Sequence, residues 1–270
     1  LHCYEGGLWE RALRYEQQVG ERALTLYAPR AAIDHLTRAV DAAHHLSQTP
    51  PSQIYHARGQ AYEMLGDFDL ARADYERALG AAHAAHDDRQ EWQSMLALGF
   101  LWAGRDYAHA GSWFQKALDQ AERLANPVLR AHSLNRLGNW LVNTGRTDEG
   151  LRAHQEALSI FEAQADPRGM AETFDLLGTS YGLYGDCINA DQQLGQAIAL
   201  FRTLEDDQGL ASSLAMRVIQ SSSPSNETTF HALRSYKESL QDAAESLSLA
   251  RQMDSLSGQA FAEVALAEAY

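Results

Sequence analysis

The stretch that decides the fold is Tyr55-His-Ala-Arg-Gly59-Gln-Ala-Tyr62-Glu-Met-Leu-Gly66-Asp-Phe68-Asp-Leu-Ala71-Arg-Ala-Asp-Tyr75-Glu-Arg-Ala78. Phe68, Ala71, Tyr75, Ala78 and Leu79 follow one another at three- and four-residue steps, which draws one face of an α-helix. Gly66-Asp67 interrupts the pattern, and glycine there supplies the left-handed residue that a tight interhelix turn needs. The stretch reads as two amphipathic helices joined by a short turn.

Working outward, the same unit returns along the chain. Small residues in the second helices fall at Ala39, Ala78, Ala117, Ala157 and Ala197, with steps of 39, 39, 40 and 40. In the first helices Gly20, Gly59, Gly138 and Gly178 keep the period, and the missing member falls on Leu98, with Gly99 beside it. Glycine costs about 1 kcal/mol in a helix interior, so its recurrence marks places where two helices touch closely. Gly66-Asp67, Gly145-Arg146 and Gly185-Asp186 mark the turns, with Arg105-Asp106 in the third unit. Pro29, Pro50, Pro51, Pro127, Pro167 and Pro224 all sit at helix starts or linkers, and no alternating run suggests a strand.

This predicts helix pairs at about 8–27/29–47, 52–65/68–86, 89–104/107–125, 128–144/147–165 and 168–184/187–205. Asp87-Asp88, Asn126-Pro127, Asp166-Pro167 and Asp206-Asp207 separate the pairs and can cap the next helix. A sixth unit has helices at about 208–220 and 229–253, with an inserted Ser-rich loop at 221–228, and a further half unit starts near Ser257. Three regions are expected: 1–51 as an N-terminal repeat at a junction with an upstream domain, 52–206 as four regular units, and 207–270 as atypical repeats. The start at Leu1 and the helical pattern running to Tyr270 suggest an excerpt of a longer protein.

The bulk composition narrows the function. Lys+Arg 22 against Asp+Glu 36 gives a formal charge of −14, which disfavours direct binding to nucleic acid or an anionic membrane. No apolar run approaches the roughly 18 residues of a membrane span, and Leu1-His-Cys-Tyr-Glu has no signal-peptide character. Cys3 and Cys187 imply no disulfide framework. A cytoplasmic setting is the expectation, with no cofactor and no metal.

Unit two closely resembles the tetratricopeptide repeat: Tyr55, Gly59, Tyr62, Gly66, Ala71, Tyr75 and Ala78 stand where that repeat places an aromatic, Gly, Tyr, Gly, Ala, an aromatic and Ala. Unit five repeats the match with Phe174, Leu177, Gly178, Tyr181, Gly185, Ala190 and Ala197. The resemblance implies an all-α fold, a right-handed superhelix of antiparallel helix pairs, with six units plus a half. The period of 39–40 exceeds the usual 34 or so and is similar to a long-repeat subclass of bacterial signalling proteins. The N-terminal stretch, from His2-Cys-Tyr-Glu to Ala31-Ala-Ile-Asp-His-Leu36, resembles the junction that follows the nucleotide-binding part of STAND ATPases, including MalT-like and LuxR-type transcription regulators and cyclase- or kinase-fused forms. That resemblance implies a sensor region recognising a peptide, protein or small-molecule effector, with an ATPase domain upstream. No Gly-x4-Gly-Lys-Ser/Thr occurs in the chain, so nucleotide hydrolysis is not assigned to it.

The tetratricopeptide resemblance places a concave face on the first helices. It implies His56 and Gln60 in unit two, Trp92, Met95 and Trp102 in unit three, His132, Asn135, Asn139 and Asn143 in unit four, and Glu172, Asp175 and Thr179 in unit five. Aromatics there supply area and amides both donate and accept, which suits a peptide or small polar ligand. The competing role for Trp92 and Trp102 is to plug the space between units. A second option for the whole chain is protein docking or self-association through the C-terminal end, where Phe261, Val264 and Leu266 lack a covering helix.

Other motifs have plainer readings. Gly178-Thr-Ser180-Tyr-Gly182 matches a hydrolase elbow in letters only, since repeat positions explain Gly178 and Tyr181. His83, His86 and the pair His44-His45 lack a second convergent pair, and histidines at helix ends are the simpler explanation. Asn226-Glu-Thr228 fits a glycosylation acceptor without any export signal to support it.

Overall fold

A computed structural model describes residues 2–222 and 234–269. The loop expected at 221–228 and the acceptor Asn226 lie, apart from the helical residues 221 and 222, outside the described residues. Among those residues every regular element is an α-helix: α1 His2–Glu5, α2 Trp9–Thr25, α3 Pro29–His45, α4 Ser52–Met64, α5 Phe68–Ala85, α6 Asp88–Ala103, α7 Tyr107–Arg123, α8 Pro127–Asn143, α9 Thr147–Ala163, α10 Pro167–Leu183, α11 Cys187–Thr203, α12 Asp207–Ser222, α13 Tyr236–Gln252 and α14 Leu256–Ala269. The chain divides into two compact units, residues 1–125 and 126–270. The first holds the pairs α2/α3, α4/α5 and α6/α7, and the second holds α8/α9, α10/α11 and α12/α13, with α14 against α12 and α13.

Local chemistry sets the helix limits. The Asp87, Asn126, Asp166 and Asp206 side chains accept from the backbone N–H groups of Gln90, Leu129, Gly169 and Gly209, capping α6, α8, α10 and α12 as their types predict. Gly66 turns α4 into α5 at φ +77, and its N–H donates to the Glu63 carbonyl. The third turn departs from that scheme. Gly104 stays at φ −78, and the N–H groups of Arg105 and Asp106 both donate to the Trp102 carbonyl. Between pairs the left-handed residue is not glycine but Ser47, His86, Ala125, Ala165, Glu205 and Asp254. The helix expected from 229 begins at Tyr236, because Ser235 and Glu238 form a reciprocal capping box.

The first five pairs each close on a glycine facing a larger side chain. A Cβ on Gly59 would lie 2.8 Å from the Tyr75 ring, on Gly20 2.6 Å from Leu36, and on Gly178 2.6 Å from Leu194. In the third pair the role falls to Gly99, whose Cβ would stand 2.5 Å from the Phe114 ring. Leu98, which keeps the strict period, is instead wholly buried. So the period slips by one residue ahead of α6: Gly99 follows Gly59 by 40 residues, and α6 shows the same face as its neighbours with its numbering moved on by one. The buried positions confirm the slip: Ile54, Ser94, Ser133, Thr173 and Ser213 are equivalent and all 0% exposed.

Candidate functional site

The site is built on the α4/α5 pair. Arg58, buried, donates from Nε and Nη2 to both oxygens of the fully buried Asp74, at 2.6 and 2.9 Å. Arg77 adds a third bond to Asp74, and Arg58 also reaches Thr37 Oγ1 on α3. This planar, charge-assisted arrangement ties α4 to both helices beside it. Tyr75 lies flat under Gly59, 1% exposed, and its hydroxyl donates to Glu63 Oε2 at 2.6 Å. Burial and that carboxylate push the Tyr75 hydroxyl pKa up, so it stays a donor.

Above this floor, α4 and α6 enclose a hollow of about 490 Å³ lined by His56, Gln60, Glu63, Tyr75, Gln93, Leu96, Ala97 and Phe100. An adjoining hollow of about 510 Å³ shares Gln60 and Glu63 and adds Leu24, Thr25 and Met64. Phe100 is 46% exposed and meets Phe114 edge-on at 5.5 Å. Burial lowers the His56 pKa, which keeps the imidazole neutral, and its Nδ1 has no hydrogen-bond partner among the described residues.

The slip in α6 decides which of the expected residues belong here. His56 and Gln60 line the hollow. Trp92 and Met95 do not: both are buried, at 7% and 8% exposed, because with the count moved on by one they match the buried positions Ser52 and Tyr55 of α4. Trp102 packs edge-on against Phe68 of α5 at 5.1 Å and lies 4.4 Å from the His109 ring, so it fills space between pairs. Trp102 thus takes the alternative role of filling the space between pairs, while Trp92 is buried in α6. Gln93, Leu96 and Phe100 take their places on α6, with the displaced glycine at 99 as the sequence signal for them, and Glu63 joins from α4.

In the second unit the amide and acid series is largely committed to the core. Asn135, 2% exposed, donates from Nδ2 to Thr173 Oγ1 at 2.7 Å, and its Oδ1 faces His154 Nδ1 at 3.1 Å. Asp175 repeats the device forty residues on, accepting from Ser213 Oγ at 2.5 Å. Both were expected on an open face; both bridge neighbouring first helices, Asn135 from a buried position and Asp175 from a partly exposed one. Burial raises the Asp175 pKa and lowers that of His154 to about 4. His132 sits edge-on to Phe161 at 5.0 Å, with its pKa also lowered by burial. Asn139 is half-buried and Asn143 is exposed. Ser180 is 2% exposed within α10, with no strand-to-helix elbow around it. Among the described residues no three His, Cys, Asp or Glu side chains gather as a metal site, and no helix is long and apolar enough to cross a membrane.

Tetratricopeptide-repeat family models match residues 52–82 and 129–203. Those two segments read as tetratricopeptide repeats, and the helix pairs on either side of them repeat the same packing. No curated protein matches it in sequence. Solved structures share its fold. A STAND signal transduction ATPase with a tetratricopeptide repeat sensor, from Pyrococcus horikoshii, is 15% identical with a TM-score of 0.69, covering 94% of this chain and 38% of that one. The chain shares that structure's fold and spans well under half of its length. Aspartyl phosphate phosphatase F from Bacillus subtilis is 14% identical with a TM-score of 0.71, covering 99% and 72%. A Rap protein complexed with Competence and Sporulation Factor is 15% identical with a TM-score of 0.66, covering 96% and 74%.

Proposed function

We propose that this chain is a non-catalytic binding region, the sensor part of a larger STAND-type signalling protein of the bacterial cytoplasm, and that the groove between α4 and α6 takes a segment of peptide or protein. The observation that carries this is the groove's composition. Leu96, Ala97 and half-exposed Phe100 offer apolar area, while Gln60, Gln93 and Glu63 offer hydrogen bonds over a floor held by Tyr75. Similar folds support it, one solved with Competence and Sporulation Factor and one described as carrying a repeat sensor. An occupant that prefers one arrangement of the parent protein would shift its equilibrium, with no chemistry and no cofactor in the array itself. Panning a random linear-peptide library on the chain tests this. Recovered peptides should protect 52–64 and 88–103 from hydrogen exchange; protection confined to other helices would count against the groove.

A second reading, a docking or self-association scaffold without a small ligand, draws on α14, where Leu256 is 80% and Val264 52% exposed. Sedimentation at rising concentration separates the two. A mass that grows, and that stops growing in Leu256→Ser/Val264→Ser, would favour association.

A further inference from the structure

The groove between α4 and α6 has a sign as well as a shape, and we infer that its occupant is a peptide segment in which a lysine or arginine stands beside an apolar residue. The inference rests on the groove reading above. Glu63 lines both adjoining hollows and is exposed, with Tyr75 fixing one carboxylate oxygen from below. No Lys or Arg lines either hollow. The arginines of α4 and α5 are engaged elsewhere: Arg58 and Arg77 hold Asp74, and Arg72 meets Asp69 and Glu76. His56 stays neutral through burial and compensates nothing. The groove thus presents one uncompensated negative charge next to the apolar platform of Leu96, Ala97 and Phe100.

Three kinds of occupant compete for such a surface. An acidic segment would meet repulsion at Glu63. A wholly apolar one would cover Glu63 and strip it of water without replacing the lost bonds. A basic residue gives the carboxylate a charge-assisted partner, and its aliphatic stem lies along the apolar platform together with its neighbour.

The library selection supplies the test when its sequences are read and the best binder is synthesised. Lysine or arginine next to Leu, Ile, Phe or Met should be enriched. The synthetic peptide should bind wild type, lose about tenfold in affinity to Glu63→Gln, and lose affinity as salt is raised. Gln60→Lys, at an exposed position, should weaken it similarly by repulsion without touching the Tyr75 bond. Phe100→Ala should weaken any groove ligand whatever its charge. Peptides without basic enrichment that bind Glu63→Gln and Gln60→Lys as well as wild type, yet fail on Phe100→Ala, would overturn the charge preference and leave the groove standing. Binders indifferent to all three variants, or an empty selection, would overturn both.

Discussion

Replacing Gly99 by alanine tests the register on which the groove depends. The new Cβ would lie 2.5, 2.7 and 3.1 Å from three atoms of the Phe114 ring. That ring is 4% exposed and braced edge-on by Phe100, so it cannot swing clear. Overpacking of this kind costs about 1–3 kcal/mol. Alanine returns about 0.5–1 kcal/mol through helix propensity. The net expectation is a loss of up to about 2.5 kcal/mol, together with a displaced Phe100 and a weaker groove. Gly80→Ala is the control, since a Cβ there meets nothing within 4 Å and only the propensity gain remains. Leu98→Ala should be the most damaging of the three, by about 2–5 kcal/mol, because Leu98 is wholly buried. Urea unfolding followed by circular dichroism gives the midpoints; a constant slope would license free energies for a repeat array. A Gly99→Ala protein as stable as Gly80→Ala, with Leu98→Ala tolerated, would refute the placing of Gly99 at the close approach of the third pair.

Three further outcomes are expected. Asp74→Ala leaves Arg58 buried without its partner and should cost about 3–5 kcal/mol, read from the same urea curves. Ala165→Gly relieves an exposed left-handed alanine at φ 51 and should add about 0.5–1 kcal/mol of stability after the glycine's own entropy, read as a higher melting temperature. For His154, the folded value of about 4 lies below the ordinary 6.5, so the unfolded chain binds the proton first. Stability should therefore fall as pH drops from about 6.5 to about 4, by roughly 2–3 kcal/mol in all. His154→Gln should flatten the wild-type profile in that window, which subtracts the opposing contribution of Asp175, whose raised value favours the fold at acid pH.

Helices, pairs and turns were legible because they follow from periodicity and from glycine and proline, which act on the backbone locally. The turn at Gly66 and the close approach at Gly59 were read at the right residues. The groove was only half legible. His56 and Gln60 could be placed by counting from unit two, but the count failed in α6, where one residue changes the exposed face. Asn135 and Asp175 were misplaced for a different reason. A polar residue at a regular position looks exposed until the hydroxyl that satisfies it, Thr173 or Ser213, is found 38 residues away. The cap at Ser235 was visible as Ser-x-x-Glu but hidden by the irregular spacing of the sixth unit.

The bonds from Asn135 to Thr173 and from Asp175 to Ser213 bear on how the array bends. Apolar side chains slide past one another at little cost, whereas a directional bond between adjacent first helices resists shear like a dowel between boards. Residues 126–270 carry two such dowels. In residues 1–125 the equivalent joint between α4 and α6 has no such bond among the described residues: Ser94 donates to the Gln90 carbonyl, as Thr173 does to that of Gly169, but Nδ1 of His56 has no partner. That joint lies at the groove between α4 and α6. Compliance is thus concentrated where an occupant would need the helices to spread, and stiffness where no opening is asked of them.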